Sequence, residues 1–436
     1  MKETLTKMLA FGMVAMLAAS SALAQYSDQS ECSLDADVPN VAMNCPDMFA
    51  WQKFAEVVAP AQGHNDLVFF QTWSSDPDTF QCPPADAATC KADPTATGCP
   101  VWPELPTKSA ASVATQRSAR TTPALATLAA HRQPDSCLTN PNHAQEIVYR
   151  DKATFDYIVE NGLWYVEGVE QAFQNGLVYN FPVGAIEVKT NWYLLTEKQA
   201  KSGRYFTKSS PITKDGIEVE QVFGLVAMHL STKDLPNWFW STFEHIDNPG
   251  RCDFIGCHDS FGVVPGDQPA RNAPLCQPYP PGTLTPALQK ILAKVNPIFQ
   301  NYRLKGAMVD FTTPTGSPVL LGNSVTEAGF VPTASCMTCH SRAAVQGLAN
   351  PPMGLSPYPD VAGFTTTGQS FNGLPDPNWY YSTNNPRHRW AVQTDFVWAI
   401  PFKANSIYST ASCCTNGPPS GSPGCQCQAV GVCNTP

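Results

Sequence analysis

Sixteen cysteines behind a leader-like N-terminus constrain this chain more than any other feature. Thiols that reach an oxidising compartment become cross-links, and cross-links decide which loops can persist. The first 24 residues read as an export signal: Lys2 and Lys7 supply positive charge, "MLAFGMVAMLAA" is a short apolar core, and "ALA" offers small residues at a cleavage point before Gln25. The apolar core is shorter than the roughly 20 residues needed to span a bilayer. No later segment comes closer and no cysteine follows the cleavage point directly, so no membrane or lipid anchor is expected. The expected destination is the periplasm, with the extracellular medium as the alternative.

Losing Lys2, Lys7 and Glu3 with the leader changes the balance from 27 basic and 36 acidic residues to 25 and 35, a net charge of −10. That argues against nucleic acid as a partner. Charged residues make up 14% of the chain, against roughly 25% in ordinary soluble domains, while 40 prolines stiffen it. Setting Cys336 and Cys339 aside leaves an even fourteen cysteines, enough for seven bridges whose pairing parity does not reveal.

The chain divides into a signal peptide (1–24), a Cys- and Pro-rich N-terminal region (25–150), an α+β core (151–408) and a Cys-rich tail (409–436). In the N-terminal region "MFAWQKFAEVV" predicts a helix and "DLVFFQTW" a strand. From Asp151, a plausible N-cap, helical periodicity runs on with Gly162 and Gly176 as stops. "GAIEVKTNWYLLT", "IEVEQVFGLVAMHLST" and "NWFWSTFEHI" predict strands by their β-branched and aromatic content. "PALQKILAKVNPIFQNY" reads as a helix interrupted at Pro297, "RLKGAMVDF" and "SPVLLGN" as a hairpin, and "TDFVWAIPF" as a last buried strand. The fold class is therefore α+β: a predominantly antiparallel sheet with surrounding helices, a short helix at Cys336, and long disulfide-held loops.

Within "PTASCMTCHSRAA" stand Cys336, Cys339 and His340. Thiols at i and i+3 share one helical face and can each add to a vinyl group on one edge of a haem, while the next histidine ligates the iron from below. With these residue counts, chance produces the pattern in about one chain in a hundred. The competing interpretations are a one-turn disulfide, a thioredoxin-like pair without its βαβ context, and zinc, which adjacent Cys339 and His340 cannot easily share. "CDFIGCH" carries Cys252, Cys257 and His258 at a longer spacing; a small disulfide loop stands ahead of a second haem there, since a five-residue offset does not put both thiols on one helix face. As distal ligand the sequence offers His229. On an unbroken strand Phe223, Leu225, Ala227 and His229 share one face while Val222, Val226, Met228 and Leu230 share the other. The alternatives are a core histidine with a hydrogen-bond partner, or a thioether from Met228, Met308 or Met353. His64, His131, His143 and His388 have no supporting context.

The stretches "WQKF", "FQTWSSD", "GAIEVKTNW", "GLVAMHL", "WFWSTFEHIDNP", "GNSVTEA", "SCMTCHSRAA" and "TDFVWAIPFKA", spread over residues 50 to 405, resemble a family of exported bacterial single-haem cytochrome c-like proteins. The resemblance implies one covalent haem c on Cys336 and Cys339 with His340 as proximal ligand, and the "MHL" and "TFEH" segments as pocket walls. The extra cysteines at 82–99 and 413–433, and "CDFIGCH", depart from that family's pattern.

Together these features lead to the expectation of a periplasmic carrier that passes single electrons between redox partner proteins. The alternative is a haem enzyme with an open sixth iron position, where Glu244 or His245 would act on peroxide or a small substrate. A disulfide-rich binding module without haem is the third possibility.

Overall fold

In the computed structural model the described residues are 32–103, 137–138, 144–264, 274–345 and 372–404, apart from 65, 82, 84, 85, 215, 216, 383 and 386–388. The expected signal peptide, the Cys-rich tail, Cys82, Met353, His131, His143 and His388 lie outside them. No helix among the described residues is long and apolar enough to cross a membrane.

The fold is a seven-stranded antiparallel sheet with helices and long loops on both faces. Its strands are β1 (Ser74–Ser75), β2 (Ala144–Arg150), β3 (Ile186–Leu194), β4 (Thr207–Lys214), β5 (Ile217–Thr232), β6 (Phe239–His245) and β7 (Tyr302–Met308), in the order β1-β2-β3-β5-β6-β7 with β4 also on β5. Every pairing is antiparallel. The three strands expected between 184 and 246 are all present, and β7 falls within "RLKGAMVDF". Strands β2 and β4 carry weaker signals and were not anticipated. β2 closes the Cys- and Pro-rich N-terminal region, and β4 contains Pro211.

Helix α1 (Pro46–Val57) covers one face, where Trp51 and Phe54 are fully buried against Phe243. Truncating such an aromatic costs about 3–5 kcal/mol. Helices α2 (Lys152–Glu160) and α3 (Val166–Gln174) follow, with Asp151 accepting the Thr154 N–H as N-cap and Gly162 and Gly176 at positive φ beyond their ends, as the sequence predicts. Helix α4 (Pro286–Leu292) stops before a 3₁₀ turn at Pro297–Asn301.

Three sequence expectations are corrected. "DLVFFQTW" holds a 3₁₀ turn at Phe69–Thr72 because the Gln71 amide oxygen accepts the Val68 N–H and closes the chain on itself. "SPVLLGN" forms no hairpin with β7, whose ladder is taken by β6; only an isolated bridge joins Thr312 and Pro318. "TDFVWAIPF" is a turn followed by a helix at Ala399–Lys403, since Asp395 and Phe396 both adopt positive φ.

The two sheet faces differ chemically. One is apolar, formed by Val188, Trp192, Leu225, Met228, Leu230 and Phe243 under α1. The other carries Arg150, Glu187, Lys189, His229, Thr242 and Glu244, and is covered by residues 319–345 and 391–400. A bulge sets this division: Asn191 pairs with Ala227 and Trp192 with Leu225, so Val226 is an extra residue. The alternation expected for an unbroken strand is thus inverted halfway along β5. Phe223 and Leu225 share the apolar face with Met228 and Leu230, and Ala227 and His229 turn to the polar face.

Candidate functional site

Among the described residues, disulfides join Cys32 to Cys45, Cys90 to Cys99, Cys137 to Cys276 and Cys252 to Cys257. Among the described cysteines only Cys336 and Cys339 are unbridged. The "CDFIGCH" sulfurs are therefore bonded to each other, buried beside the Arg251 guanidinium, and the His258 ring nitrogen meets the Ile255 carbonyl at 2.5 Å. Both thioether positions of a second haem are consumed there.

The two unbridged thiols sit one turn apart on α5 (Cys336–Ser341). Several ties fix this short helix. Met337 N–H contacts the Met308 sulfur at 3.4 Å, Thr338 Oγ1 donates to the Gly373 carbonyl at 2.6 Å, and the Ser341 carbonyl accepts from Tyr380 and from Gln393 Nε2. Strands β8 (Ala344–Val345) and β9 (Val392–Gln393) then bind the helix exit to the segment leading into Asp395. The Cys336 thiol donates to the Leu321 carbonyl at 3.3 Å, and Trp398 lies beside Cys339. Burial pushes the Cys336 thiol well up and the Cys339 thiol up to about 12. Neutral thiols are poor nucleophiles, so in the folded chain the pair is protected from exchange with the surrounding disulfides.

His340 is held by its other ring nitrogen. Nδ1 lies 2.8 Å from the Phe396 carbonyl, which can only accept, so Nδ1 carries the proton and Nε2 keeps its lone pair. Burial pushes the imidazole down to about 4, with the Phe396 carbonyl opposing, so it is neutral. The carbonyl is aimed by a strained turn. Phe396 has φ 69° and Asp395 φ 49°, and the Asp395 carboxylate anchors the pair by accepting Lys233 Nζ at 2.6 Å and Phe181 N–H at 2.7 Å. The His340 ring packs 4.5 Å from Trp240, centroid to centroid, on the polar sheet face.

That face brings further groups to the helix: Lys189, His229 and Glu327 all act electrostatically on His340. His229 Nε2 meets Asn323 Nδ2 at 2.8 Å and stands 3.4 Å from Glu327 Oε2. Two of the methionines proposed as distal ligands are among the described residues. Met228 is fully buried on the opposite face, and the Met308 sulfur lies at the start of α5 against Met337 N–H.

Glu244 and His245 face opposite sides of β6 and both are closed off. Glu244 accepts from Ser324 N and Oγ and pairs with Lys305. His245 stacks on Tyr205 at 3.9 Å, with Nδ1 taking the Asp247 N–H and Nε2 against the Arg204 carbonyl. Neither offers an open face to a substrate. Asn323, Phe396 and Asp395 escaped sequence reasoning; the one local signal was Asp395, a residue type that tolerates the left-handed region.

The donor set fits a covalently bound haem: two unbridged thiols at the right spacing and a neutral imidazole with a free lone pair. Two indole N–H groups, of Trp238 beside Trp240 and of Trp379, are buried without an acceptor. Each such orphan donor costs about 1–3 kcal/mol, and a group bearing two carboxylates would satisfy donors of this kind. Trp379 also lies 4.4 Å beneath the Arg342 guanidinium, directly after the motif.

No family model, curated protein or solved structure matches the chain.

Proposed function

We propose that the chain is an exported c-type haem protein that passes single electrons between partners. Cys336 and Cys339 would hold the haem as thioethers, and His340 would ligate its iron through Nε2. The observation that carries this reading is the exclusion of these two thiols alone from disulfides among the described cysteines, beside an imidazole already held in the ligating tautomer. When bound, the haem supplies a one-electron couple at its iron.

The chain's own residues do the rest. The Phe396 carbonyl holds the proton on Nδ1 of His340, and Trp240 packs against its ring. The single-haem cytochrome c-like family resembled by the sequence supports the same reading. A low charge density with an acidic balance favours redox partners with a basic docking face, through on-rate and orientation.

One observation favours the catalytic variant, a haem oxidoreductase with an open sixth position: the Nε2 lone pair of His229 is already engaged by Asn323. The deciding test of the haem itself is the alkaline pyridine spectrum with the intact mass of protein exported by a host competent in c-type maturation. One haem per chain is expected. Colourless protein with the mass of its amino acids alone would refute the reading.

A further inference from the structure

We propose that Asn323 is a positioning residue that withholds His229 from the iron, leaving the sixth coordination position to a small exogenous ligand. The inference rests on the haem reading above and deepens it by naming what does not close the site.

The argument begins with an amide whose orientation is not free. Asn323 Oδ1 accepts two main-chain N–H groups, from Val325 at 2.9 Å and Thr326 at 2.6 Å. A flipped amide would set its NH₂ against those two donors, so Nδ2 is the end that faces the sheet. There it donates to Thr242 Oγ1 at 2.9 Å and to His229 Nε2 at 2.8 Å. All four hydrogen-bonding sites of the amide are used, and the residue is fully buried.

The consequence for His229 is a fixed tautomer. Nε2 receives a hydrogen and therefore presents its lone pair to Asn323; the ring proton is on Nδ1, and a protonated nitrogen cannot ligate a metal. Glu327 Oε2 stands 3.4 Å from the same Nε2, beyond the 2.8 Å amide contact, and it also accepts the Asn323 main-chain N–H at 2.7 Å. The carboxylate thus braces the latch from the same side as the amide.

The latch acts at the right place. Thr242 is the cross-strand partner of His229, and Trp240, two residues along the same face of β6, is the residue that packs on His340. His229 also acts electrostatically on His340. His229 thus shares the polar sheet face with His340 while its Nε2 is tied to a rigid amide, and a bound haem would find that nitrogen already engaged.

The test compares wild type, His229→Leu, Asn323→Val and the double variant, each as the full chain matured with haem, by absorption and electron paramagnetic resonance of the ferric state and by cyanide titration. Wild type is expected to bind cyanide readily, and His229→Leu is expected to leave the spin state unchanged. Asn323→Val is expected to create a six-coordinate low-spin species and weaken cyanide binding at least about tenfold, and adding His229→Leu should abolish both changes. A low-spin wild type that resists cyanide, or that becomes high-spin in His229→Leu, would overturn the latch while the haem reading stood. His229→Leu decides the matter alone if the Asn323 variants fail to fold. Colourless wild type would overturn both, and the pyridine spectrum distinguishes that case.

Discussion

Removing the Asp395 carboxylate tests whether the turn behind His340 is held by a buried charge pair. Asp395 and Lys233 are each about 7% exposed, with Nζ 2.6 Å from Oδ1. Deleting one partner of such a pair leaves the other charge uncompensated, typically at a cost of about 3–5 kcal/mol. Lys233 keeps its bond to the Pro236 carbonyl, which places the charge component at the low end of that range. Phe181 N–H, however, loses its acceptor, adding about 1–3 kcal/mol. The expected loss for Asp395→Ala is therefore about 4 kcal/mol, close to a thousandfold in the unfolding equilibrium. Urea unfolding at fixed pH, with the slope checked for constancy, measures it. Lys233→Met combined with Asp395→Ala should recover part of the loss, because no unpaired charge is then buried, giving a coupling energy of at least about 1.5 kcal/mol. A loss under about 1 kcal/mol for Asp395→Ala, or simple additivity, would refute the view that this pair anchors the strained Asp395–Phe396 turn.

Three further outcomes follow from other parts of the molecule. Burial pushes the Lys208 amine, 5.0 Å over the Trp192 ring, down to about 7 from 10.5. The unfolded chain then binds more protons than the folded one between those values, so stability should rise with pH across that window, and Lys208→Met should flatten the rise in denaturation curves. Gly168→Ala would ordinarily stabilise a helix by up to about 1 kcal/mol, but its Cβ would meet the Gly162 carbonyl at 2.0 Å and the Tyr165 ring at 2.7 Å, so a loss of about 2–3 kcal/mol is expected in the same assay. Replacing Cys137 and Cys276, which close a span of 139 residues, should cost about 5 kcal/mol, whereas replacing Cys252 and Cys257, five residues apart, should cost about 2 kcal/mol and leave the haem content unchanged. Equal losses for the two pairs would show that loop entropy does not govern them.

Much of this protein is determined locally and so is present in its sequence. Cys336 and Cys339, at i and i+3 with His340 directly after, share a single helical turn through spacing alone. The strands from 186 to 245 declare themselves through β-branched and aromatic residues, and Asp151, Gly162 and Gly176 mark helix limits through side-chain and backbone preferences that act within a few residues. The short spacing of Cys252 and Cys257 likewise suited a closed loop before any fold was known.

Only the tertiary structure decided which way the side chains face and what holds them. Val226 bulges because β3 and β5 pair out of step there, and that single extra residue carries His229 from the apolar face to the polar one. The His340 tautomer depends on a carbonyl 56 residues away, and that of His229 on an amide 94 residues away. Hydrogen bonds between such distant segments leave no periodicity in the chain, because each depends on a register and a turn that exist only once the sheet has assembled.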